Sequence, residues 1–371
     1  MKGLFGTAVF ESGAEPYYWE DVALYALLTG QWDELEQDVR AGLACQAHFQ
    51  ATGEPIPDAK IDEAASEYRY ERELITAAET EDWLTSRGIS AEQWMGHIER
   101  EILRTEFEDR LDEFLAAHPA SVEDVLEAMR EFWICTGAGR DLAEGLAEWV
   151  AAAAAEGVGS TSEYGIGLTG ETLVGTGQIT ESAEHRAMPM VELTEEEEEL
   201  AKQLPGLDPN RLARRLARLR RLQVAQAKFR DQVTTPEAVR REIEHHRLEW
   251  VRLDCVVAHF SSDTHAREAA LCVREDGMSL EEVAAGARAE VEETQLLLSE
   301  VEPDLRHALL GAQSGDLVGP LRSGDEWALF DVREKSLPAL DDPATAELAA
   351  TEAAESAVRA QVSARIRWLT E

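Results

Sequence analysis

Positive charge is what this chain has least of. Only 5 of its 371 residues are lysine, and 35 Lys and Arg together face 74 Asp and Glu, for a formal charge of −39. A surface of that sign repels phosphate backbones and anionic headgroups, so neither nucleic acid nor membrane is expected as a partner. Cysteine is scarce too. Cys45, Cys135, Cys255 and Cys272 form no C-x-x-C pair, which fits reduced, largely buried thiols rather than a disulfide framework. The apolar run Leu4 to Phe10 stops at Glu11, so neither a secretory core nor a bilayer span is expected and the chain reads as cytoplasmic. Phosphate loop, dinucleotide fingerprint and G-x-S-x-G are all missing, and no cofactor is expected.

What is present is enough to fold. Apolar residues make up 44%, with 9 Trp and 9 Phe, which fills cores for two or three domains. The acidity reads most simply as a solvated surface, and a cationic or neutral peptide is the partner it opposes least.

Most of the pattern is helical. Trp94, Ile98, Ile102, Leu103, Phe107, Leu111 and Leu115 recur at helical spacing behind Ser90, which predicts one long helix with a serine cap. A short helix around Asp82 to Arg87, closed by Gly88, precedes it, and helices near 121–133 and 141–155 follow. Composition then turns to Gly, Ser and Thr over 157–182, a linker or flap. After the acidic run Glu195 to Glu199 and the Pro205-Gly206-Leu207-Asp208 turn, Leu212, Leu216, Leu219, Leu222, Phe229 and Val233 mark a second long helix. The short-helix, turn, long-helix pattern echoes 83–115 and leaves an internal duplication open. Its arginines at 211, 214, 215, 218, 220 and 221 read as a solvated face; the sharper alternative is a docking strip for an acidic segment. Thr235-Pro236-Glu237 restarts a helix expected to run through Trp250. A last helix, about 343–369, sets Val358, Val362, Ile366 and Leu369 on one stripe that needs a partner.

Between Leu253 and Lys335 the pattern differs. Two apolar strand-like runs enclose helical segments, and the second opens with Gly315-Asp316-Leu317-Val318-Gly319-Pro320. This layout resembles the parvulin-type peptidyl-prolyl isomerase domain. With helices before it and a terminal helix after it, the whole chain is similar to the SurA- and PrsA-type folding factors. The resemblance implies a mostly helical α+β fold: a helical module (1–156), a linker (157–193), a helical segment (194–251), a parvulin-like domain (252–337) and a C-terminal helix (338–371) packing back on the helical part.

The same resemblance marks losses. The family's first-strand histidine falls on Cys255, within Asp254-Cys255-Val256-Val257, and the histidine of its last strand on Ala328, in Glu326-Trp327-Ala328-Leu329. The Met and Phe that wall its proline pocket become Val301 and Leu305. Leu280 replaces the aromatic of its G-x-x-F-x-x-x-A stretch, and its Gly-Asp-Leu-Gly passage has no counterpart. Isomerisation needs a site that stabilises a twisted amide across a barrier near 20 kcal/mol, so a pocket without those polar groups is expected to hold chains rather than isomerise them. The implied partner is an unfolded protein or a precursor peptide, with a homodimer left open. If the chain is an enzyme, Cys255 is its candidate catalytic residue. Candidate peptide contacts are Trp83, Trp94, Trp250, Val301, Leu305 and Trp327, although large aromatics are more often core.

Two metal readings compete. Cys255, His259, His265 and Cys272 form a C-x3-H-x5-H-x6-C series of soft ligands, though its spacing matches no zinc finger. Glu242 and His245 stand i,i+3 as in di-iron bundles, without the second pair such a site needs.

Overall fold

The computed structural model describes residues 5–53, 56–157, 204 and 209–369. The Gly/Ser/Thr-rich segment beyond Gly157, the acidic run Glu195 to Glu199 and the turn at 205–208 lie outside the described residues. The chain divides into two compact units. One holds the residues up to Phe229 and those from Val358 onward; the other is Arg230–Ala357.

The first unit opens with a hairpin, β1 (Ala8–Ser12) and β2 (Glu15–Tyr18), inside the stretch 1–156 expected as a helical module. Gly13, at φ +63°, supplies the left-handed turn residue. Eight helices follow: α1 (Trp19–Thr29), α2 (Gln31–Thr52), α3 (Asp58–Glu71), α4 (Ala77–Arg87), α5 (Ala91–Glu106), α6 (Leu111–Ala117), α7 (Val122–Thr136) and α8 (Ala138–Ala155). α4 and α5 begin with reciprocal capping boxes, Thr76 with Glu79 and Ser90 with Gln93, and Gly88 closes α4 in the left-handed region. The long helix expected through Leu115 is two. Phe107, at φ −115° and ψ 29°, ends α5, a 3-10 turn follows at Glu108–Arg110, and the break lets Phe107 meet Phe49 at 4.7 Å and Phe114 at 6.1 Å.

After residue 204 comes α9 (Pro209–Val233), unbroken over 25 residues, unlike the segment it was thought to echo. Leu212, Leu216, Leu219 and Leu222 enter a core with Leu24, Trp32, Met129, Trp133 and Leu146. Each fully buried leucine contributes about 1.5–3 kcal/mol, so α9 is held mainly by this stripe.

The second unit starts with α10 (Pro236–His245), capped by Thr235 and stopping at His245 rather than Trp250. Then come β3 (Arg252–Phe260), α11 (Asp263–Asp276), α12 (Leu280–Ala287), β4 (Glu290–Leu297), α13 (Pro303–Gly311), β5 (Leu317–Ser323) and β6 (Glu326–Ser336). The strands form one antiparallel sheet in the order β4-β3-β6-β5. The sequence pattern had shown two strand-like runs here, and β4 was missed: it is an edge strand whose Glu290, Glu292 and Glu293 are exposed, leaving little apolar alternation. Helices cover both faces. α13 packs on one with Leu305 and Leu309, and α11 and α12 on the other with Ala266, Ala269, Ala270, Leu280 and Ala284.

The last helix, α14 (Pro343–Arg365), puts Ala349 beside Val239, Ile243 and Trp250. It ends at Arg365, earlier than the 369 expected. Ile366 and its neighbours instead form β7 (Ile366–Trp368), which pairs antiparallel with β1 in the order β2-β1-β7. Trp368 meets the edge of Phe10 at 5.3 Å, and the Arg140 guanidinium lies 3.6 Å over its ring.

Candidate functional site

Alternation along β3 and β6 decides what each face of the second unit's sheet carries. Leu253, Cys255 and Val257 of β3, with Ala328, Phe330 and Val332 of β6, form the core under α13; Val256, Ala258, Phe260 and Leu329 lie on the face under α11 and α12. The parvulin-like pocket positions fall on the α13 face, and there they are packed. Cys255 is 3% exposed and Leu305 7%, and Val301 joins the same cluster. Burial, with Asp254 and Asp331 nearby, pushes the Cys255 thiol up to about 11, which keeps it protonated at neutral pH.

The ladder adds a finding that residue matching alone does not give. Cys255 stands opposite Val332, while Ala328 stands opposite His259. The two positions matched to histidines are therefore four residues apart along the ladder, roughly 13 Å, and share no reacting centre. His259, which the sequence placed only in the zinc series, sits with its ring nitrogens 3.7 Å from Glu292 of β4 and 3.7 Å from Glu326 of β6.

The remaining site candidates scatter. Trp94 and Trp250 are buried at 7% and 5%, in separate cores. Trp83 is half-buried, its edge 6.0 Å from Tyr68 and the Arg87 guanidinium 4.6 Å over its ring. Trp327 packs with the cluster under α11, on the opposite face from Leu305. His265 is exposed and Cys272 half-buried on α11, across the sheet from Cys255, so the zinc series does not converge; no group of three ligating side chains gathers among the described residues. The Glu242/His245 pair also resolves differently. It is His246 that approaches Glu242, at 4.0 Å, while bonding Glu249 at 2.6 Å and stacking on Trp250 at 4.5 Å.

A cavity forms at the open edge of β5. A groove of about 570 Å³ runs along it, lined by Val273 and Arg274 of α11, Ala308 and Gly311 of α13, and Gly315 to Val318 of β5 and its entry turn. The strand's geometry there is set by glycine. Gly319 has φ +116°, and a Cβ on it would come within 2.7 Å of the Ala328 carbonyl oxygen. Lys335 closes the C-terminus of α13 with ammonium bonds to the Leu310 and Ala312 carbonyls at 2.5 and 2.8 Å.

In the first unit the arginine stripe is split: Arg211, Arg214 and Arg221 are exposed, while Arg215, Arg218 and Arg220 are half-buried. Arg215 pairs with Asp21, which is 1% exposed; Arg211 lies 3.6 Å from Glu20, 2% exposed; and Arg218 pairs with Glu15 at 2.7 Å and covers the Tyr17 ring at 4.0 Å. The docking strip is real, and the acidic segment is the chain's own. Deeper in the helices, Arg100 and Glu131 form a buried pair at 2.5 Å. Burial, then the charges of Arg100, Arg72 and Arg104, push His97 down to about 3.

No family model matches the chain, and no curated protein matches it. Among solved structures, a chain is similar whose description reads that the virulence factor PEB4 and the periplasmic protein Cj1289 are two structurally related SurA-like chaperones in Campylobacter jejuni. The match has 10% identity, covers 98% of this chain and 99% of that one, and has a TM-score of 0.18.

Proposed function

We propose that the protein binds segments of unfolded or precursor polypeptide and does not isomerise their prolyl bonds. The observation that carries this reading is the groove along β5, where a sheet edge lies open between two flanking helices and offers backbone as well as apolar side chains. Against catalysis stand the neutral, buried thiol of Cys255 and the distance along the ladder between it and Ala328. A groove that reads backbone suits many clients. A ribosomally made precursor peptide and an unfolded protein fit it equally, and a client panel decides between them.

The test pairs two measurements on the full chain. A protease-coupled proline-isomerisation assay is expected to show the uncatalysed rate, and light scattering is expected to show suppressed aggregation of an unfolded client. Robust isomerisation that Cys255→Ala abolishes would make the protein an enzyme and overturn the proposal.

A further inference from the structure

The backbone of β5 faces two ways. Asp316 accepts from the Val332 N–H at 3.0 Å, towards β6. Alternation then turns the Leu317 carbonyl outward, towards the open edge, and within the irregularity that follows Val318 the Gly319 carbonyl reaches the same side. Both are occupied there by one side chain: Nη2 of Arg274 donates to Leu317 O at 3.0 Å and to Gly319 O at 3.1 Å. Acceptors two residues apart on the outward side of an edge strand are those that the N–H groups of an added strand would use. Arg274 thus stands in for a missing strand.

We infer that the β5 edge takes a short, extended, basic segment of a client as an added strand, displacing Arg274. The inference rests on the peptide-binding reading above and specifies the segment. Three features define the occupant. Ala308, Gly311 and Ala312 on one wall are small enough for a backbone to come close. Pro320 lacks an N–H and lies within the irregularity between Val318 and Leu321, so the usable edge ends there and the added strand spans only a few residues. Charge selects the side chains. Asp316 lines the groove, Glu275 and Asp276 are exposed directly after Arg274, and Arg274 is the one cation among the described lining residues and is spent on carbonyls.

The test is fluorescence anisotropy of a labelled hexapeptide alternating arginine and valine, titrated with the full chain. Arg274→Met keeps the apolar stem and frees both carbonyls; binding is expected to tighten about threefold to tenfold. Reversing the rim charge, Glu275→Arg with Asp276→Arg, is expected to weaken binding by a similar factor, with no effect on an uncharged valine/serine hexapeptide. Methylating alternate backbone nitrogens of the probe is expected to abolish binding. All three substitutions lie at exposed positions, and circular dichroism checks that each variant is folded. Equal affinity for the methylated probe, or unchanged or weaker binding by Arg274→Met, would overturn strand addition at β5. If aggregation suppression persists in that case, polypeptide binding stands and belongs elsewhere on the chain; if suppression is also absent from the unmodified protein, both readings fall.

Discussion

Replacing Arg215 by methionine is expected to cost about 3 kcal/mol of stability, far more than the 0–1 kcal/mol of an exposed ion pair. Asp21 is 1% exposed and the Arg215 side chain 12%, so the charge left behind has almost no access to water. Breaking a buried pair typically costs 3–5 kcal/mol. The lower end applies, because Arg218 also feels the charge of Asp21 and because the carboxylate keeps the Tyr18 N–H, donated to Oδ2 at 2.9 Å. Urea unfolding followed by tryptophan fluorescence suits the measurement, since Trp19, Trp32, Trp133 and Trp149 all pack in or against the core that α9 completes. Adding Asp21→Asn removes the stranded charge while its amide oxygen can still accept from Tyr18, and at least half of the loss should return. Arg221→Met, at an exposed position of the same helix, is the control and should change stability by less than about 0.5 kcal/mol. A loss below 1 kcal/mol for Arg215→Met, or one equal to the control, would refute the buried-docking argument and restore the solvated face.

Three further expectations follow from the packing. Unfolded His97 takes a proton near 6.5 and the folded residue only near 3, so stability should fall as pH drops through that window, by up to about 1.4 kcal/mol per pH unit from this group; His97→Gln should flatten the slope in acid-unfolding curves. Ellman's reagent at pH 8 should titrate Cys272 first and leave Cys45, Cys135 and Cys255 unreacted until the chain unfolds; rapid reaction at Cys255 would show its strand to be open. Gly319→Ala, with its Cβ driven against the Ala328 carbonyl at positive φ, should lower the stability of the second unit by about 1–3 kcal/mol, read by hydrogen exchange in β5 and β6.

The sequence revealed helices wherever capping and periodicity agreed. Ser90 with Gln93 and Gly88 in the left-handed region mark their helix ends by local chemistry, and such signals need no tertiary context. Phe107 shows the limit. It fits the helical period, yet the chain breaks there because the ring gains contacts with Phe49 and Phe114, residues that periodicity cannot bring together. The arginine stripe was visible, but its partners Glu20 and Asp21 lie about 190 residues earlier and only the fold shows them buried. At the candidate site, residue matching found Cys255 and Ala328, whereas the strand ladder shows which residues face each other. That ladder brings out His259. The groove at β5 left one signal in the sequence, the Gly315-to-Pro320 run; Arg274 carries no mark of its role until α11 is set beside that strand.

The pairing of Phe10 with Trp368 also sets a schedule. At 5–20 residues per second, ribosomal synthesis takes roughly 20–70 s to travel from one of these residues to the other. Throughout that time one edge of β1 lacks its strand, and the Phe10 ring lacks the indole that finally meets its face of the sheet. Arg230–Ala357 is made as a contiguous stretch inside that interval and can fold before the first unit is complete. For this chain, order of synthesis and order of completion are reversed, and the segment that starts first closes last.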